Sequence, residues 1–414
     1  MKTNLWKSLG PGLLWAGAAV GVSHLVQSTR AGALFGFDLV WVVVLANVLK
    51  YPFFEFAPRY AAATGESLID GYERTGRWAI WMYGIFTLLT MFTIQAAVTM
   101  VTAGILKNVT GWDMNIVLTA IILLVFTAAL IISGKYVLLD KVVKWIVILL
   151  TVTTVFAVFV AWWKSSGKTS FQTTFDWKNA GDLAFLIALA GWMPAPIDVS
   201  VWHSLWSVEK KKTLEKGGLW KFALWDFKIG YYGTAVLALF FLALGALVMY
   251  GSGATFSSKA AVFAGQLIKM YTQVTGEWAY PIIAFAALAT MFSTTVTCMD
   301  AYARVLPATS IKIISSLRRI KPVLLSHVWL VILLAGTILL ISNFMHGMKA
   351  MVDLATTLSF VTAPVMAFLN FKAVTSGHFP EKYKPGKFLR GFAWISMVFL
   401  ALFSLGYLAW RFML

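Results

Sequence analysis

Cysteine and charge are the two things this sequence has least of. A single cysteine, Cys298, in 414 residues leaves no partner for an intrachain disulfide and no cysteine cluster for a metal. Charged residues make up 12% of the chain against 60% hydrophobic ones, too little charge to cover the surface of a soluble domain of this size. Also missing are a phosphate-cradling loop, zinc-ligand spacing and a nucleophile elbow, which removes ATP-driven transport by this chain and soluble enzymology and gives a non-enzyme with no resident cofactor. Acids are scarcer than bases: 17 Asp and Glu against 34 Lys and Arg give a formal charge of +17. The basic residues are scattered among short loops and form no basic face, so nucleic acid is not the partner.

What fills the chain is apolar runs of the length that crosses a hydrocarbon core. Eleven such spans are expected, at about 11–36, 39–62, 79–106, 114–133, 142–163, 182–206, 229–250, 280–306, 323–344, 350–372 and 389–410. The fold class is therefore all-α and integral to the membrane, with the lipid bilayer as first partner. The connecting segments are too short for a soluble domain, and residues 1–414 read as one transporter domain. Lys2 and Lys7 ahead of "LGPGLLWAGAAVG" have the layout of a secretory signal, with Ala16-Gly17-Ala18 as cleavage site. The apolar run continues past that point, so an uncleaved first helix is expected. Loops on the side of the N-terminus carry 22 Lys and Arg and the opposite loops 7, which places the N-terminus in the cytoplasm and the C-terminus outside the plasma (inner) membrane. Tryptophans at span ends, such as Trp78, Trp163 and Trp410, fit an interfacial belt.

Two spans are interrupted. Span 1 carries Gly17 and Gly21 and then the polar stretch "GVSHLVQSTR", and span 6 reads "AGWMPAPIDVSVWHS", with Pro194, Pro196 and Asp198. A lone proline kink is common in membrane helices. Here the breaks fall in the first helix of each half when spans 1–5 and 6–10 are taken as two repeats, about 8–163 and 182–372 with an extra helix at about 389–410. Matched breaks of this kind mark an inverted-repeat transporter whose site lies between two discontinuous helices. Freed backbone groups there must be satisfied inside the protein. The candidate substrate-binding residues are Gly21, Ser23, His24 and Gln27, facing Ala195 and Asp198.

His24 can serve as metal ligand, proton carrier or hydrogen-bond partner. Asp198 can join it as a metal ligand, pair with it across the break, or cap the second half of span 6. Arg30 is expected at interface water or paired with Asp38, and Asp300 and Arg304 have the i, i+4 spacing of a structural ion pair. Thr294, Thr295 and Thr297 either line the path or bond their own helix, while Glu55, Pro58 and Arg59 look structural.

A family resemblance rests on these residues. "GPGLLWAGAAVG", "AGALFGF", Val44–Lys50, "ATGESL", "GKYVLLDKV", "STTVT" at Ser293–Thr297 and the proline after Gly191 resemble the Nramp metal-ion transporters over nearly all the spans. The resemblance implies the LeuT-type architecture and transport of divalent metals, usually with protons. The family's signature residues are replaced. Its Asp-Pro-Gly-Asn falls on Gly21, Val22, Ser23 and His24. Its Met-Pro-His falls on Met193-Pro194-Ala195, or, in the register preferred here, on Ala195-Pro196-Ile197 with Asp198 next. Its span-10 polar residue aligns with Thr356. Residues 79–106 hold no acid and 323–344 no Lys or Arg, where related transporters carry proton-handling groups.

Three functions follow as expectations. The first is a divalent-cation transporter with altered selectivity, for a partly hydrated ion such as Mg²⁺ or for Mn²⁺; Nramp-related magnesium transporters also depart from the usual motif. The second is a carrier of a small organic solute such as an amino acid, with Trp192, Trp202 and Phe292 as an apolar wall. The third is a non-transporting membrane receptor or scaffold, against which the retained polar residues argue.

Overall fold

The structure, a computed structural model, describes residues 10–134, 136–165, 174–212, 219–253, 255–343 and 347–413. Lys2, Lys7, Lys135, Lys168 and Lys216 of the loop charges counted above lie outside these residues. Among the described residues all regular structure is helical. The chain begins with α1 (Pro11–Ala19), a π-helical segment (Val22–Ser28) and α2 (Thr29–Phe35), then α3 (Val40–Thr64), α4 (Leu68–Thr75), α5 (Arg77–Thr110), α6 (Ile116–Ile132) and α7 (Tyr136–Lys164). It continues with α8 (Ala180–Trp192), α9 (Val199–Lys212), α10 (Leu219–Val248), α11 (Ala260–Thr275), α12 (Tyr280–Ile313), α13 (Pro322–Asn343), α14 (Gly347–Thr375) and α15 (Lys387–Met413).

Eight helices, α3, α5, α7, α10, α12, α13, α14 and α15, are long and apolar enough to cross a bilayer. The other three expected spans differ from a single long helix. Residues 11–36 are divided into three segments, 182–206 into two helices, and 114–133 form the 17-residue α6. Two short helices that apolar length did not predict, α4 and α11, lie in the connections. Local chemistry sets several ends. Asn115 accepts the Val117 N–H at 2.8 Å at the start of α6, and Asn179 accepts the Gly181 N–H at 2.8 Å at the start of α8. Gly65 and Gly111, at φ of 79° and 67°, close α3 and α5 in the left-handed conformation that glycine adopts without penalty.

Burial separates inner from outer helices. The membrane windows of α3, α5 and α12 are 67% buried and those of α7, α13 and α15 28%, so the first three form the core and the others face lipid. Trp163 and Trp78, at helix ends, are exposed, as an interfacial belt requires. α10 runs along both halves of the first broken helix. Glycines allow that approach: a Cβ on Gly230 would overlap the Gly12 carbonyl, one on Gly245 the Thr29 carbonyl, and one on Gly32 the Leu242 carbonyl.

Polar ties fasten the same helices. Asp226 on α10 accepts the N–H groups of Gly10 at 3.2 Å and Gly12 at 2.6 Å, satisfying donors that the first turn of α1 leaves free. Arg30 neither reaches water nor pairs with Asp38. It is buried, and its guanidinium meets the Asp353 carboxylate of α14 at 2.7 and 3.1 Å. Asp38 instead accepts the N–H groups of Thr174 and Phe175, which spends its lone pairs on the loop before α8. Asp300 with Arg304 forms the expected intrahelical pair at 2.8 Å, and Glu55 with Arg59 forms another at 2.6 Å.

Two stability predictions follow. Gly245→Leu overfills the contact with Thr29 and should cost about 1–3 kcal/mol, seen as a lower melting temperature in detergent. Asp353→Asn should lower it too. The cycle with Arg30→Met should give a coupling above about 0.5 kcal/mol, because Asn leaves a buried guanidinium without its counter-charge.

Candidate functional site

The first break begins at Val20 and Gly21. α1 ends there, and its last carbonyls face a π-helical segment wide enough to skip the usual partners. Side chains take them up. The Ser23 hydroxyl lies 2.5 Å from the Ala19 carbonyl, and those of Ser28 and Thr29 donate five residues back, to the carbonyls of Ser23 and His24. His24 is wholly buried, with Nδ1 2.7 Å from the Ser23 hydroxyl and Nε2 2.9 Å from the Thr234 carbonyl of α10. A carbonyl can only accept, so the ring carries a proton on Nε2. Gly21 is required by proximity, since a Cβ there would lie 2.8 Å from the Thr294 hydroxyl of α12.

The second break follows from two prolines. The helical partner of the Ala190 carbonyl would be the N–H of residue 194 and that of Trp192 the N–H of residue 196, and both are proline. The chain passes through a cis Met193–Pro194 bond and restarts as α9. The Ala190 carbonyl meets Lys50 of α3, whose ammonium donates to it and to the Gly191 carbonyl beside it at 2.7 Å each, and to the Ala195 carbonyl past the helix end at 3.4 Å. Sequence reasoning passed over this lysine. Its signal was a charged residue in the middle of an apolar span, 1% exposed in the fold. Asp198 stands immediately before α9. Its Oδ2 is buried and has no hydrogen-bond partner among the described residues.

Between the breaks lies a cavity of about 30 Å³, room for one or two water-sized guests. Ala19, Ser23, Ala195, Trp192, Trp202 and Thr294 are among its walls, with Cys298 beside them. A second cleft of about 10 Å³ is lined by Asp198 together with the hydroxyl-bearing Thr87, Thr90, Ser359 and Thr362.

The residues singled out from the sequence thus fall into three places. Ser23 and Ala195 line the central cavity, with Gly21 against Thr294 on its wall. His24 turns toward α10 and does not pair with Asp198, because the π-helical turn aims its ring at Thr234 while Asp198 lines the other cleft. Gln27 bonds Asp353 and Thr356 at 3.3 and 3.4 Å and receives Arg30 at 2.7 Å, forming a polar layer on the α2 side. Phe292 packs on Phe126 of α6 rather than among the cavity residues. Thr294 both lines the cavity and bonds its own helix at the Thr290 carbonyl. No group of three or more His, Cys, Asp or Glu side chains able to hold a metal occurs among the described residues.

The architecture and the sequence have known counterparts. The chain is 37% identical over 420 residues to an uncharacterized protein of Pasteurella multocida, covering 99% of this chain and 94% of that one. A segment of 78 residues, 18% of this chain and 19% of the other, is 33% identical to the divalent metal cation transporter MntH of Yersinia pestis. Among solved structures, a single-residue mutant of the Eremococcus coleocola manganese transporter superposes with a TM-score of 0.74 at 16% identity, over 98% of this chain and 87% of that one. MhsT in complex with L-phenylalanine superposes with a TM-score of 0.62 at 14% identity, over 96% of this chain and 98% of that one. The fold is accordingly that of the LeuT-like transporters. Residues 12–409 match the profile of the natural resistance-associated macrophage protein-like family, and this chain belongs to that Nramp family.

Proposed function

We propose that this protein is a secondary transporter that carries its cargo through the chamber between the two broken helices by alternating access, with a cation selectivity different from that of the transition-metal carriers. The observation that carries the reading is the cavity itself, bounded on one side by Ala19 and Ser23 and on the other by Trp192 and Ala195. Backbone opened at membrane depth is tolerated where it faces protein or a polar cavity, and here both openings face the same small space. In this reading the N-terminus lies in the cytoplasm and the chain in the plasma (inner) membrane, as the loop charges support.

Membership of the Nramp family, and the segment shared with transporters named for divalent metals, make a divalent cation the first cargo. The ligands on offer limit how it is held. The chamber supplies the hydroxyls of Ser23 and Thr294, the thiol of Cys298 and peptide carbonyls, and Asp198 is the carboxylate just past the second break. Neutral oxygen donors with one acid nearby suit an ion that keeps part of its water, such as Mg²⁺ or Mn²⁺, better than one stripped bare for soft ligands. We assign Asp198 to the cargo path and His24, tied to the Thr234 carbonyl of α10, to holding the first break. A second reading, a small organic solute such as an amino acid, is favoured by the indole wall of Trp192 and Trp202. It requires the chamber to widen as the helices move, because the present volume admits no such molecule.

The first test is a thermal-shift titration of the purified protein with Mn²⁺, Mg²⁺ and a panel of amino acids, since a ligand that binds the folded state raises apparent stability. A saturable response to a divalent ion that weakens at least about tenfold (1.4 kcal/mol) in Asp198→Asn is expected. A response confined to an amino acid would establish the second reading, and an Asp198→Asn variant that binds and transports normally would remove Asp198 from the path. The replaced motif supplies the other test. Gly21→Asp combined with Thr294→Ala, which clears the space a side chain needs, should give a stronger Mn²⁺ response than the wild type.

A further inference from the structure

The geometry points to a built-in cation site at the second break, with the Lys50 ammonium as its resident cation. Three features of the fold carry this. The acceptors are three peptide carbonyls, of Ala190, Gly191 and Ala195, converging on one nitrogen at 2.7, 2.7 and 3.4 Å. The Ala190 carbonyl is free because Pro194 has no N–H to give, and those of Gly191 and Ala195 because α8 ends at Trp192 and the chain between it and α9 is not helical. An ammonium has three donors and no acceptor, so the group is matched one for one to the cluster. Such a convergence of carbonyl oxygens at a helix C-terminus, where the backbone dipole is negative, has the chemistry that otherwise recognises a free monovalent cation.

A lysine that merely reaches for water along a helix surface is a different object. That arrangement keeps the head group in the interface, whereas Lys50 lies eleven residues into the 25-residue α3, is 1% exposed, and directs its head inward across to α8. Carbonyls carry no net charge to balance it. Asp198, at the start of α9, follows three residues after Ala195. Tyr231 of α10 faces the same stretch of α3 and donates its hydroxyl to the Asn47 carbonyl. The ammonium therefore stands where an unoccupied break would draw in a cation from solution, and the wild-type break has no place for a free one. The inference is independent of which cargo the chamber carries.

The test needs no knowledge of the cargo. Lys50→Ala removes three methylenes and the ammonium, which together have the shape of propylammonium. The purified variant should melt lower than wild type and recover in a saturable manner with propylammonium, and to a smaller extent with methylammonium, Na⁺ or K⁺. Wild type should be indifferent to all four when choline chloride holds the ionic strength constant. Lys50→Gln, which keeps hydrogen-bond donors without charge, should remain below wild type in stability and covers the case in which the alanine variant does not fold. A folded Lys50→Ala protein that ignores every one of these cations, a Lys50→Gln protein as stable as wild type, or a wild-type protein that itself requires Na⁺ or K⁺ would each overturn the proposal.

Discussion

A membrane helix that is cut must be repaired from within. Hydrocarbon offers no hydrogen bonds, and an unpaired peptide group there costs several kcal/mol, so each break in this chain dictates what must surround it. At the first, Ser23, Ser28 and Thr29 turn their hydroxyls back on the carbonyls that the π-helical turn releases. At the second, Pro194 leaves the Ala190 carbonyl without its helical donor and the helix stops at Trp192, and the repair of Ala190 and Gly191 comes from another helix as Lys50. The positions of α3, α10 and α12 around the breaks follow from this need as much as from apolar packing. The glycines of α1, α2 and α10 then let those helices come close enough to act.

The buried charges that meet the two broken helices follow a common rule. Asp226 sits at the N-terminal end of α1, Asp198 at that of α9, and Lys50 at the C-terminal end of α8. Each opposes the partial charge of the helix end it meets. The exception is Arg30, which is balanced by a carboxylate across the bundle and by Gln27, and whose guanidinium also lies 4.9 Å above the Phe185 ring. That cluster joins the segment after the first break to α14 and covers the chamber on the α2 side. Asp353, one member of the pair, is one third exposed, so water screens part of its charge.

How much of this could be read beforehand differs from residue to residue for physical reasons. Apolar length located the long helices because the hydrocarbon thickness is fixed. Pro194 and Pro196 located the second break because proline has no amide proton, and polar residues after Gly21 located the first. The ion pair Asp300–Arg304 was legible because a helix brings i and i+4 together. What a single chain does not display is contact between segments far apart in sequence. Arg30 finds Asp353, His24 finds Thr234 and Lys50 finds Ala190 across 323, 210 and 140 residues. Membership of a known family narrows the fold, but it does not say where a side chain turns when its neighbours have been replaced. The π-helical turn, for one, directs His24 at α10.

The replaced motif and the lysine bear on one another. A cargo chamber that holds a bare divalent ion needs fixed negative charge, because the loss of its water must be compensated. Gly21 brings none, and the carbonyl oxygens at the α8 end, which could have contributed, already face an ammonium. Adding a divalent ion beside that ammonium would place like charges in a small apolar space. The arrangement is consistent with an ion that keeps its water and leans on Asp198, or with a cargo whose own charge is negative or balanced. In either case the peptide carbonyls at the end of α8 are engaged by the protein's own lysine.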